Sequence, residues 1–312
     1  MTVQPDPRVP SRTERFFDSD VWWSFKSHKS AVGAAIVLAL VIAAALLAPV
    51  LSPQNPYDLA ALELWNAELP PIWMEGGQMP FLLGTDVQGR DILSGILYGT
   101  RISIIIGIAS VAVSLVVGIG LGLMAGYYGG WIDNALMRVG DVLLSIPIVL
   151  VAILVSSVAQ QFLSPAWREA GVAAVLVLAI AMYSWVQYAR VVRAQTMVER
   201  RKEYVQASRL VGTPARRLML KHILPNTLTP IFVAATLNFG LAILIEATLS
   251  FLGVGMPPNQ PSLGTLIRVG NQYLFSGSWW IVLFPSIQLC ILVVAVNMLG
   301  DWLRDALNPK LR

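Results

Sequence analysis

Apolar residues gather along this chain into six long runs, and most charged residues fall between them. The runs lie at roughly 31–51, 102–126, 141–163, 170–189, 231–252 and 279–299. Each has about the 20 residues that a helix needs to cross the hydrocarbon of a bilayer. The pattern predicts an all-α polytopic membrane protein with six transmembrane helices. The first run, AVGAAIVLALVIAAALLAPVL, is longer than the roughly 7 to 15 residues of a signal-peptide core and follows a polar leader, so it reads as a retained helix. The implied organisation is a leader at 1–30, a first helix at 31–51, a long loop at 52–101, a five-helix core at 102–299 interrupted by a polar loop at 190–226, and a tail at 300–312.

Finer patterns sit inside this frame. The leader stretch RFFDSDVWWSFKSHKS mixes Phe16, Phe17, Trp22, Trp23 and Phe25 with charges. That mixture suits a helix lying in the membrane interface, and equally an aromatic belt flanking the first span. In the second run Gly118, Gly122 and Gly126 recur every four residues, a smooth stripe where another helix can approach closely for packing.

Composition agrees with the pattern: 56% of residues are hydrophobic and 13% charged, about half the charged share of a soluble domain. Charge placement then sets orientation. Of 22 Lys and Arg, 18 fall in the leader, 127–140, 190–226 and the tail, and four (Arg90, Arg101, Arg168, Arg268) fall on the opposite side. By the positive-inside rule both termini and the 190–226 loop are expected in the cytoplasm. The segment 52–100 is then external, and it carries six acids, Asp58, Glu63, Glu68, Glu75, Asp86 and Asp91, as a candidate docking surface. The single cysteine, Cys290, lies in an apolar run and forms no intrachain disulfide.

Catalytic groupings are missing. No G-x-x-x-x-G-K-[ST] string is present to wrap a phosphate, and no H-E-x-x-H or G-x-S-x-G. His28 and His222 have no carboxylate or cysteine at ligand spacing, so no metal site is expected. Energy for work must come from another chain or from a gradient. A gradient-driven carrier usually buries several ionisable residues, yet only Glu246 lies well inside a run, toward its outer end. Its carboxylate fits an interhelix hydrogen bond or a polar wall of a solute pathway.

The 203–226 segment, EYVQASRLVGTPARRLMLKHILPN, is the most informative stretch. Gly212 should end the helix that carries Glu203, Tyr204, Ala207 and Ser208. Thr213 is expected to cap a second, short helix with Pro214 at its first position. That helix sets Leu218, Met219 and Ile223 to one side and Arg216, Arg217 and Lys221 elsewhere, and Pro225 is expected to stop it. Read from residues alone, it is either a surface helix held to anionic lipid by its arginines or a docking element.

The spacing of Gln206-Ala207-Ser208, Gly212 and His222-Ile223-Leu224-Pro225 resembles the EAA loop of ABC importer permeases. The whole string is similar to the version in the dipeptide, oligopeptide and nickel branch. Two further strings, LLGTDVQGRDILSGILYGTRIS at 82–103 and EATLSFLGVGMPPNQPSLG at 246–264, resemble that branch's C-type permease subunit. Gln206 stands where the generic motif has Glu, and Glu203 is the nearest acid. The resemblance implies a type I importer permease fold and a coupling helix at 213–224 that docks into a partner ATPase, with Glu203, Ala207, Ser208, Gly212, Thr213, Pro214, Arg216, Arg217, Leu218, His222, Leu224 and Pro225 as coupling residues. It further implies a homologous second permease, two ABC ATPases that bind ATP and magnesium, a periplasmic binding protein and a bacterial inner membrane. This chain would bind no cofactor, metal or nucleic acid and catalyse nothing.

Overall fold

The computed structural model describes residues 20–58, 62–162 and 168–307. Phe16 and Phe17 lie outside them. The described residues form helices joined by turns, with one isolated bridge between Thr85 and Asp91. In chain order the helices are α1 (Asp20–Ser27), α2 (Lys29–Leu46), α3 (Ala48–Leu51), α4 (Ile92–Tyr128), α5 (Gly130–Ser145), α6 (Ile148–Phe162), α7 (Arg168–Glu199), α8 (Glu203–Leu210), a single turn α9 (Ala215–Arg217), α10 (Leu224–Phe251), α11 (Leu263–Gln272) and α12 (Trp280–Ala306). Five helices among the described residues are long and apolar enough to cross a membrane, and a bent pair makes a sixth when taken as one crossing.

That pair corrects the expected third span. Taken as one crossing, the pair begins at Gly130, and α5 and α6 meet at 94°. The cause is local: Pro147 forces the residue before it out of helical geometry, and Ile146 is extended at φ −94°, ψ 129°. The second span also differs, since α4 begins ten residues before the expected 102 and is 37 residues long, roughly 55 Å at 1.5 Å per residue. Its start is fixed by Asp91, whose carboxylate accepts the backbone N–H of Ser94 at 2.7 Å and the Ser94 hydroxyl at 2.6 Å.

The glycine stripe on α4 faces α7. A methyl at Gly118 would sit 2.6 Å from Tyr188 Cβ, at Gly122 2.6 Å from the Ala189 carbonyl, and at Gly126 2.6 Å from Thr196 Cβ. The matching order of positions shows that α4 and α7 run parallel with their backbones nearly touching. Helix α5 returns antiparallel along α7: Gly140 meets Val186, Asp133 pairs with Arg193, and Asp141 pairs with Arg190 at 2.7 Å.

Antiparallel packing of α10 and α12 places the ends. Gly240 abuts Asn297 and Gly300 abuts Leu237, so α12 finishes where α10 begins. Phe25 of α1 stacks edge-on to Trp302 at 4.9 Å. The two ends of the described chain and the 203–226 loop therefore share one end of the bundle.

Candidate functional site

The 203–226 loop is built from two short helical pieces on either side of Gly212. Helix α8 closes in a Schellman arrangement: the N–H of Gly212 reaches the Arg209 carbonyl at 3.0 Å and the N–H of Thr213 the Ser208 carbonyl at 3.1 Å. Gly212 has φ +82°, a left-handed backbone, and no atom lies within 4 Å of where a Cβ would stand. Its glycine is required by the backbone.

The second piece differs from expectation in two ways. Pro214, extended at φ −63°, ψ 145°, takes the position before the first helical turn, so the start falls one residue later than a Thr213 cap would set it. Pro225 does not stop the helix: the chain stays helical from Ala215 to Phe251. A π-helical turn at Leu218–Ile223 precedes Pro225, which lies in the first turn of α10. Proline lacks an N–H and its ring presses on the carbonyl four residues back. A widened turn relieves both problems without ending the helix. The loop is thereby welded to the membrane helix that follows it.

Its apolar residues divide sharply. Val205, Leu218 and Ile223 are buried with Leu123 of α4, Val192 of α7 and Ile231 of α10, and Met219 and Leu224 pack against them. Leu220 is 48% exposed, and Leu210 and Val211, at the tip beside Gly212, are 89% and 86% exposed. Glu203, Ala207, Arg216, Arg217 and Pro225 are exposed, and Ser208, Thr213 and His222 are half-buried.

Tyr204 joins the pieces, a role that no sequence motif marked. Its hydroxyl donates to Glu199 at the foot of α7 and accepts from Asn226 Nδ2 at 3.0 Å, while Asn226 Nδ2 also reaches the His222 carbonyl at 2.8 Å. Burial and then the Glu199 bond push the Tyr204 phenol up to about 12, so it keeps its proton. Glu199 is held from the other side by Lys202 at 2.8 Å. Arg200 donates to the Tyr127 carbonyl near the end of α4 at 2.7 Å. Only the pairing of Tyr204 with Asn226 across the Gly212 turn could have revealed this hub, and that pairing exists only once the turn is folded.

Glu246 occupies the opposite end of the bundle and is fully buried. Ser103 of α4 and Ser250 donate to its two oxygens at 2.7 Å each, and Ser262, which caps α11, bonds to it as well. The 52–101 loop closes over this end. Arg90 donates to the Pro258 carbonyl, Trp280 Nε1 to the Thr85 carbonyl at 3.1 Å, and Ser278 to Glu68 at 2.8 Å. Two of the six acids expected on a docking surface, Asp86 and Asp91, are buried instead. Asp86 accepts the backbone N–H groups of Gln88 and Arg90 at 2.8 and 3.0 Å, and burial raises its carboxyl above the usual range.

The described residues thus form a bundle of membrane-length helices with a loop that presents Leu210 and Val211 at one end. Residues 118–312 match the family described as binding-protein-dependent transport system inner membrane component, and residues 17–71 match the N-terminal TM domain of oligopeptide transport permease C. The chain belongs to this family of membrane permeases, which are the non-catalytic components of their transporters, and it is not a gradient-driven carrier or an intramembrane enzyme. It is 41% identical over 293 residues to the dipeptide transport system permease protein DppC of Haemophilus influenzae, covering 94% of this chain and 95% of that protein. It is 40% identical to the di/tripeptide transport system permease protein DppC of Pseudomonas aeruginosa (94% and 92% covered) and to the dipeptide permease DppC of Escherichia coli K12 (94% and 93%).

Proposed function

We propose that this chain imports dipeptides or similar small solutes as one of two permeases, with two ABC ATPases that hold ATP and magnesium and a periplasmic binding protein that delivers the cargo. Both termini and the 203–226 loop face the cytoplasm, and the loop receives the push of an ATPase. The observation that carries this reading is the pair Leu210–Val211, the most exposed apolar side chains of a loop whose Val205, Leu218 and Ile223 are buried. Exposed apolar side chains at a fixed turn suit a protein cleft. The helix running unbroken from Ala215 into the bilayer span offers a rigid lever. Glu246, with both oxygens bonded to hydroxyls, holds helices together at the outer end.

In proteoliposomes with the full complex, Gly212→Val is expected to assemble and to lose binding-protein-stimulated ATP hydrolysis. Arg216→Gln with Arg217→Gln is expected to keep it. The reverse ranking would make lipid attraction, not ATPase docking, the purpose of the loop. Orientation has its own test. With Cys290 replaced, a cysteine at the exposed Glu75 should react with an impermeant maleimide in intact spheroplasts, and labelling only after lysis would invert the topology. Glu68 suits this less well, because it bonds to Ser278.

A further inference from the structure

Beside the loop, a cavity of about 580 Å³ opens between the ends of α4 and α7, helix α8 and the start of α9, lined by Tyr127, Tyr128, Arg200, Arg201, Gln206 and Arg209 among others. The charge around it is unbalanced. Arg190, Arg193 and Lys202, close by on the same elements, are each paired with a carboxylate. Among the described residues no carboxylate lies within 4 Å of Arg200, Arg201 or Arg209. Three guanidinium groups around one concavity repel each other, and they attract an anion whose oxygens can accept paired N–H donors.

The surroundings choose among anions. Tyr128 is half exposed at the mouth, and Trp131, three residues on at the start of α5, is 78% exposed. Amphipathic rings left in the open beside an apolar bundle mark the headgroup level of a bilayer. We propose that this cavity binds the phosphodiester of an anionic phospholipid, with Arg201 and Arg209 as its principal contacts and Arg200 held in place by the Tyr127 carbonyl. A filled cavity ties the ends of α4 and α7 to α8, at the root of the loop.

The site is separable from the ATPase reading, because its test needs no transport. The full chain, with whatever subunits co-purify, is studied by native mass spectrometry with added phosphatidylglycerol, phosphatidylcholine or inorganic phosphate. Wild type is expected to retain phosphatidylglycerol in preference to phosphatidylcholine, and 10 mM phosphate, taken as a roughly physiological level, is not expected to displace it. Arg201→Gln with Arg209→Gln should weaken retention roughly tenfold or more, at about one kcal/mol per arginine near an anionic lipid. The Lys pair at the same positions should keep a large part of it, which separates charge from misfolding. Arg216→Gln with Arg217→Gln removes equal charge outside the cavity and should change retention less than about twofold. Equal retention by wild type and the Arg201/Arg209 Gln variant would overturn the site. Displacement by phosphate would assign it to a soluble anion instead of a lipid.

Discussion

The two ends of this bundle solve the problem of polar groups in opposite ways. At one end Glu246 is sealed in with hydroxyls on three sides, and the two loops there are tied by Arg90, Trp280 and Ser278. At the other end the loop fixes its own backbone through Gly212 and Tyr204, yet leaves Leu210 and Val211 in the open. The Glu246 end satisfies these polar groups within one chain, and Leu64, Trp65 and Phe275 stay exposed there. The loop end is rigid but unfinished, as a surface must be if it is to transmit force to another protein. Substitutions should therefore damage folding at the packed positions and coupling at the loop.

The largest effect is expected where two backbones nearly touch, between those ends. Gly122→Val sets new atoms against Ala189 and Val192, and overpacking of this kind costs about 1–3 kcal/mol or more. The yield of monodisperse protein after detergent extraction should collapse. Survival at wild-type yield would mean that α4 and α7 do not pack this closely. Next comes Glu246→Ala, which leaves the buried hydroxyls of Ser103 and Ser250 without their acceptor. A cost of about 1–3 kcal/mol is expected, read as a lowered thermal midpoint, whereas Glu246→Gln keeps one acceptor oxygen and should sustain near-normal uptake. Loss of uptake in the Gln variant at normal expression would give the carboxylate a role in transport itself.

At the loop the expected losses are functional. Tyr204→Phe keeps the ring and removes the hydroxyl that joins Glu199 to Asn226, at about 1 kcal/mol per hydrogen bond. Hydrogen exchange should quicken across 203–226 while the spans stay protected. Unchanged exchange would remove Tyr204 from the hub. The smallest effect is expected at Gly212→Asn. Asparagine tolerates positive φ better than valine, so this variant should keep much of the stimulated ATP hydrolysis that Gly212→Val loses. Equal damage by both would point to crowding by a partner and not to backbone strain.

Much of this architecture was legible because bilayer thickness fixes helix length and the apolar runs are long. The misread points are those where proline acts in context. Pro147 marks a sharp bend between α5 and α6 where composition suggests one straight run, while Pro225 is absorbed by a π turn into a continuous helix. A proline marks a missing donor, and the neighbouring backbone decides whether that ends, kinks or widens the helix. Gly118, Gly122 and Gly126 could be placed on one face from their spacing, but the identity of α7 as the surface they meet could not. The burial of Asp86 and Asp91 was equally hidden, since their partners are backbone N–H groups created by the turn itself. Leu210 and Val211 were ordinary apolar residues until the Gly212 turn put them outside.

The most direct test of the account follows those two residues into the assembled transporter. A photo-crosslinking amino acid is placed at Val211 in the full complex, with the same probe at the exposed Trp65 near the other end as a control. Val211 is expected to form an adduct with an ATPase subunit, its yield changing when ATP is added, and Trp65 is expected to form none with an ATPase. A Val211 probe that labels only lipid, or nothing, in a complex that hydrolyses ATP would contradict the claim that this loop is where the permease meets its motor.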